Sequence, residues 1–197
     1  MSGVSGVRAE WEQPQVTGGT GDEVFVWIGL GGWNQTEGNI IQIGTFGYFP
    51  TAFQLNEGIW YEHVPGPLAQ YPLIAVGPGD EVAASIVQAG RDEWRMTLND
   101  ISSGVSYTKV LKFDSLGSYP DFVVEDPDKG DGGANGPFVP FARWGTVSFS
   151  DMEVLMAGQW KPAASIYGYR IQMVRGNQTL ATAGPLSTRS GFTARQS

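Results

Sequence analysis

The 197-residue chain has no cysteine. Disulfides, thiolate nucleophiles and cysteine-ligated zinc are therefore excluded. Histidine is nearly absent too: the single one, His63, stands in WYEHV. A Ser/His/Asp triad would have to use it, and the chain has no Gly-x-Ser-x-Gly elbow to supply the serine. His63 reads as a surface or packed residue. No Gly-x-x-x-x-Gly-Lys loop occurs to cradle a phosphate. DPDKGDGGANG, from Asp126 onward, has the look of a calcium loop but lacks the EF-hand spacing and its closing Glu, and reads as a Gly-Asp loop. Neither a metal nor a cofactor is expected. No run of 18 apolar residues is present to span a membrane. The opening MSGVSGVRAEW lacks the apolar stretch of a signal peptide. Charge is scarce, 16% against a usual quarter, and basic residues are outnumbered 12 to 20, for a net charge of −8. Such a surface disfavours nucleic acid and anionic membranes as partners.

What the chain does have is 28 glycines, 12 prolines and recurrent Val, Ile, Thr and aromatic residues. That composition predicts many short strands joined by tight turns. Period-two alternation marks Glu23 to Leu30, Asn39 to Thr45 and Gly58 to Val64. It then marks a meander of Asp80 to Ala89, Glu93 to Asp100 and Val105 to Phe113. DFVVED, FVPFAR, TVSFSDMEVLM, YGYRIQMV and QTLATAG follow. No 12-residue stretch has helical periodicity. The expectation is one domain, residues 1–197, built as an all-β antiparallel sandwich of two large sheets.

Two strands carry an unusual polar residue. In NIIQIGT, Gln42 shares a face with Ile40 and Gly44, while Ile41 and Ile43 take the other. In DFVVED, Glu125 shares a face with Val123 and Asp121. Taken singly, each is an ordinary strand residue. Taken together, a glutamine is a donor that no pH ionises, and a glutamate is an acid or base. Trp11, Trp94, Trp144 and Trp160 read as core or sheet-face aromatics; Trp33 and Trp60 are candidates to line a groove.

Five stretches together resemble the glutamic peptidases, or eqolisins: VWIGLGG, NIIQIGT, WYEHVPG, DFVVEDP and FVPFARWGTVSFSD. The likeness runs from about Val7 to the end. Without cysteines the chain is similar to bacterial members, and it enters the family pattern one strand late, at SGVRAEWEQP. The resemblance implies two seven-stranded sheets in a concanavalin A-like jelly roll, secreted and extracellular, acting on polypeptide substrates in acid; a monomer is expected. It implies Gln42 and Glu125 as the catalytic pair. Trp27 would line the cleft, with Glu62, Tyr61 and Trp60 beside it as substrate-binding residues.

The chemistry suits such a pair. Glu125 can take a proton from water and return it to a leaving amine, while Gln42 stabilises the oxyanion. Two rivals share the fold: a non-catalytic carbohydrate- or peptide-binding sandwich, and a glycosidase using two carboxylates, Glu62 and Glu125.

Overall fold

The computed structural model describes residues 3–31, 39–66, 69–71, 74–113, 119–127, 139–166, 168–188 and 190–197. Among them are fourteen strands: β1 (Val4–Glu12), β2 (Glu23–Gly31), β3 (Ile40–Thr51), β4 (Gln54–Val64), β5 (Ala69–Tyr71), β6 (Glu81–Gly90), β7 (Glu93–Asp100), β8 (Val105–Lys112), β9 (Pro120–Glu125), β10 (Thr146–Met156), β11 (Gln159–Pro162), β12 (Gln172–Arg175), β13 (Gln178–Ala183) and β14 (Phe192–Gln196). Ala163–Ser165 form one 3-10 turn. No helix among the described residues is long and apolar enough to cross a membrane.

The strands form two antiparallel sheets. The larger runs β12-β13-β14-β10-β1-β6-β7-β8, with β11 also paired to β10, and has nine strands; the smaller runs β5-β4-β3-β2-β9. The sandwich is as expected, but its division is nine and five rather than seven and seven. The described residues of FVPFAR form no strand: Phe141 and Arg143 make only isolated bridges, to Glu23 and Thr17. Pro140 has no N–H to give a ladder, so pairing cannot run through it. YGYRIQMV shrinks to β12, with Tyr167 outside the described residues.

Burial explains the sequence pattern. β6 and β7 alternate buried with more exposed residues over most of their length, because one face meets the core and the other meets solvent. β2 is buried at every position after Glu23, which is why EVFVWIGL reads as an almost unbroken apolar run. Its Val24, Val26, Ile28 and Leu30 join Ile41, Ile43 and Ile59 in the core between the sheets. They meet Val7, Ile86, Met96, Leu98 and Val154 of the nine-stranded sheet. Burying each such side chain stabilises the fold by roughly 1.5–3 kcal/mol. Trp11 Nε1 donates to Thr45 Oγ1 at 3.2 Å across the sandwich, satisfying two buried polar groups where a disulfide is impossible. Trp11, Trp94 and Trp144 lie in this core as expected. The guanidinium of Arg8 lies over the partly exposed Trp160.

Arg175 Nη2 donates to Asp126 Oδ2 at 2.5 Å. This ties the chain just beyond β9 to the β12–β13 hairpin of the other sheet. Burial raises the Asp126 carboxyl above its ordinary range, and Arg175 partly opposes that rise.

Ile28 is wholly buried in the centre of the smaller sheet. Ile28→Ala is expected to lower unfolding free energy by about 2–5 kcal/mol in urea denaturation. A loss below about 1 kcal/mol would contradict the position assigned to β2.

Candidate active site

The outer face of the five-stranded sheet, turned away from the core, collects the polar residues. Register defines it row by row. Gln42 pairs with Glu62 of β4 on one side and Gly29 of β2 on the other, and Gly29 pairs with Asp121 of β9. The next same-face row is Trp60, Gly44, Trp27 and Val123. The third is Gly58, Phe46, Phe25 and Glu125. Gln42 and Glu125 thus project from one face. They stand two strands apart, about 10 Å across the sheet, and are four residues out of step. Trp27 occupies the lattice point between them.

That indole is held down by what its neighbours lack. A methyl group at Gly29 would lie 2.8 Å from Cζ3 of Trp27; one at Gly44 would lie 2.6 Å from its Cβ and 2.0 Å from the Val26 carbonyl oxygen. Only glycine lets the ring lie along the strand. So placed, Trp27 Nε1 donates to Glu125 Oε2 at 2.6 Å. On the other side, Gln42 Nε2 donates to Glu62 Oε2, also at 2.6 Å. Both are short bonds to carboxyl oxygens, the strong kind. The second fixes which end of the amide faces Glu62, leaving the second N–H and Oε1 to aim elsewhere. Gln42 is 6% exposed and Trp27 7%; Glu62 and Glu125 are half-buried.

The other expected residues divide. Trp60 is on this face but only 1% exposed. It stacks on Phe25 at 4.6 Å between ring centroids, meets Trp27 edge-on at 6.4 Å, and donates Nε1 to the Thr45 carbonyl. It supports Trp27 and does not line an open groove. Tyr61 is on the opposite face, because adjacent strand residues alternate. It joins the core at 9% exposure, stacked on Tyr107. The structure therefore removes Tyr61 from the site face. His63 shares that inner face, its ring 5.8 Å from Phe113. Trp33 lies outside the described residues, as does most of DPDKGDGGANG. Glu62 and Glu125, the glycosidase alternative, are three strands apart and each is tied to a different partner. Among the described residues no three His, Cys, Asp or Glu side chains are grouped to hold a metal.

Asp121 was not assigned a role from sequence, although period two places it on the face of Glu125. It is half-buried, and its Oδ2 is enclosed in protein with no hydrogen-bond partner. Burial pushes its carboxyl from 3.8 up to about 7.

The site and fold together define a class: an all-β sandwich presenting a glutamate and a glutamine either side of a recumbent tryptophan. The model of the Peptidase A4 family matches residues 1–195, and the chain belongs to that family. It is 26% identical over 159 residues to scytalidopepsin B of Scytalidium lignicola, a match covering 78% of this chain and 59% of that protein's length. The fold is similar to that of scytalido-glutamic peptidase solved with a transition state analog inhibitor: TM-score 0.81, 23% identity, covering 100% of this chain and 94% of that one. It is also similar to aspergilloglutamic peptidase from Aspergillus niger: TM-score 0.74, 20% identity, covering 89% and 99%.

A carboxyl whose proton affinity is higher folded than unfolded favours folding when protonated. The Asp121 contribution is therefore full below about pH 4 and is lost as pH rises through about 7. Asp121→Asn is expected to remove that slope. Between pH 4 and 8, wild-type unfolding free energy should fall relative to the variant, by at most about 4 kcal/mol at about 1.4 per pH unit. Parallel profiles would contradict this placement of Asp121.

Proposed function

We propose that the protein is a glutamic endopeptidase that cleaves polypeptides in acid, with Glu125 as general base and Gln42 as oxyanion donor. The observation that carries this reading is their shared sheet face, with Trp27 between them and each side chain fixed by a 2.6 Å hydrogen bond. Family membership supports it, as does the likeness to a peptidase solved with a transition state analog. Secretion and action as a monomer belong to the same proposal.

The roles follow from chemistry. In this reading the attacking water and the scissile peptide group lie above Trp27, between the two side chains. Glu125 as carboxylate removes a proton as the water oxygen bonds to the scissile carbonyl carbon. The carbonyl π pair moves onto oxygen, and an N–H of Gln42 donates to the resulting oxyanion. Glu125 then gives its proton to the amide nitrogen, the C–N bond breaks, and a carboxylic acid and an amine leave. Trp27 donates to one carboxyl oxygen of Glu125 and so holds the carboxyl in place for its work on water. Glu62 holds the Gln42 amide in one orientation, so it needs no reorganisation as charge develops.

The test is cleavage of a denatured protein at pH 3–5, near the ordinary carboxyl range, with pepstatin present to suppress aspartic peptidases. Gln42→Ala is expected to lower kcat by about 10²–10³-fold, the usual loss for one oxyanion donor. Glu125→Gln should abolish turnover, with near-UV circular dichroism unchanged in both. Wild-type activity in either variant would refute the assignment. Sugar binding without proteolysis would favour a non-catalytic sandwich.

A further inference from the structure

The row carrying Gln42 crosses the sheet as Glu62, Gln42, Gly29 and Asp121. Glu62 and Asp121 therefore flank the amide, one adjacent to it and one across a glycine. Glu62 accepts from Gln42. Asp121 has no such partner at Oδ2, which is enclosed in protein. A buried carboxylate oxygen with nothing to bond is costly, so at this position the neutral acid is the form that fits. An enclosed C=O lacking a partner costs less than an enclosed O–H, which places the proton on the other oxygen, Oδ1.

Gly29, its neighbour on β2, has no side chain. Among the described residues of the three rows, the acids that share its face are Glu125 four residues along β9 and Glu62 on β4. On the inner face, β9 packs through Phe122 and Val124 against Phe149 and the apolar core of the larger sheet. Burial is the cause that raises the Asp121 proton affinity.

We propose that Asp121 is a substrate-binding residue that works as an uncharged acid, its Oδ1–H donating to a main-chain carbonyl of the bound polypeptide on the side of Gln42 away from Glu62. An extended peptide laid across this face presents a carbonyl at every residue, and the rest of the row offers it Gln42 and Glu62 only. Ionisation removes the donor and puts a negative charge opposite a carbonyl oxygen. Substrate binding is therefore strong in acid and weakens toward neutrality. This inference rests on the peptidase reading for the identity of its ligand.

The experiment is steady-state cleavage of a quenched-fluorescent peptide from pH 3.5 to 7.5 by wild type, Asp121→Asn and Asp121→Ala. In parallel, the anisotropy of a labelled, uncleaved peptide is titrated with Glu125→Gln protein bearing each Asp121 residue. Asp121→Ala should raise KM about fivefold to tenfold at pH 4 with kcat within about twofold, as for loss of one neutral hydrogen bond. Asp121→Asn keeps an N–H donor that does not titrate. It should hold KM near the wild-type acid value and keep it flat to pH 7.5, while the wild-type KM rises. Anisotropy should follow the same order. If KM and peptide affinity are independent of residue 121, or if kcat falls with KM unchanged, the proposal is overturned even though the peptidase reading stands. If nothing is cleaved but peptide affinity follows residue 121 and pH as described, the peptidase reading fails and the subsite stands.

Discussion

An indole can lie flat on a β-sheet only where the positions beside it carry no side chain, and the outer face of the five-stranded sheet is built around that requirement. Gly29 and Gly44 clear the space for Trp27. Phe25 and Trp60 pack against it from the side. Once down, the ring reaches Glu125 with its N–H. The position of the glutamate is thus set by two absent Cβ atoms on neighbouring strands. The glutamine is set differently, by a direct bond to Glu62 one strand away. An aromatic cluster on the outer face, separate from the main core, packs around Trp27.

The same face is economical in charge. From β4 to β9 its three rows carry the amide of Gln42, the indole N–H groups of Trp27 and Trp60 and the carboxyls of Glu62, Glu125 and Asp121, and no cation. In acid, where carboxyls approach neutrality, such a face loses mutual repulsion. Elsewhere the chain shows the same tendency: burial raises Glu57 and Asp126 as well as Asp121, and Glu10 is raised by burial and by nearby acids. Each of these groups favours the folded state when protonated, so the direction of the effect is common to the site and the scaffold.

Much of this was legible in the sequence, because β-sheets write themselves in period two. The meander β6–β7–β8 and the apolar β2 follow directly from alternation and burial, and Gln42 and Glu125 stand out as polar residues in apolar strands. Other features depend on partners that one segment does not reveal. β5, β11 and β14 are short strands whose pairing supplies what their patterns lack, and FVPFAR has the composition of a strand but a proline where a ladder bond belongs. Tyr61 is instructive in the opposite sense. Family likeness grouped it with Glu62, but alternation alone forbids neighbours in a strand from sharing a face, and the physical rule was the better guide. Asp121 could be placed on the Glu125 face by counting twos. Its distinction is an unpartnered, enclosed oxygen, and that is visible only in three dimensions.

The central claim is that Gln42 and Glu125 act on one peptide bond across Trp27. The most direct measurement is a crystal structure of the protein with a peptide-based transition-state analogue. The account predicts the tetrahedral centre above Trp27, one of its oxygens within about 3 Å of Gln42 Nε2 and another within about 3 Å of a Glu125 carboxyl oxygen. An analogue bound elsewhere on the sandwich, or one touching Glu125 with Gln42 still remote, would contradict it.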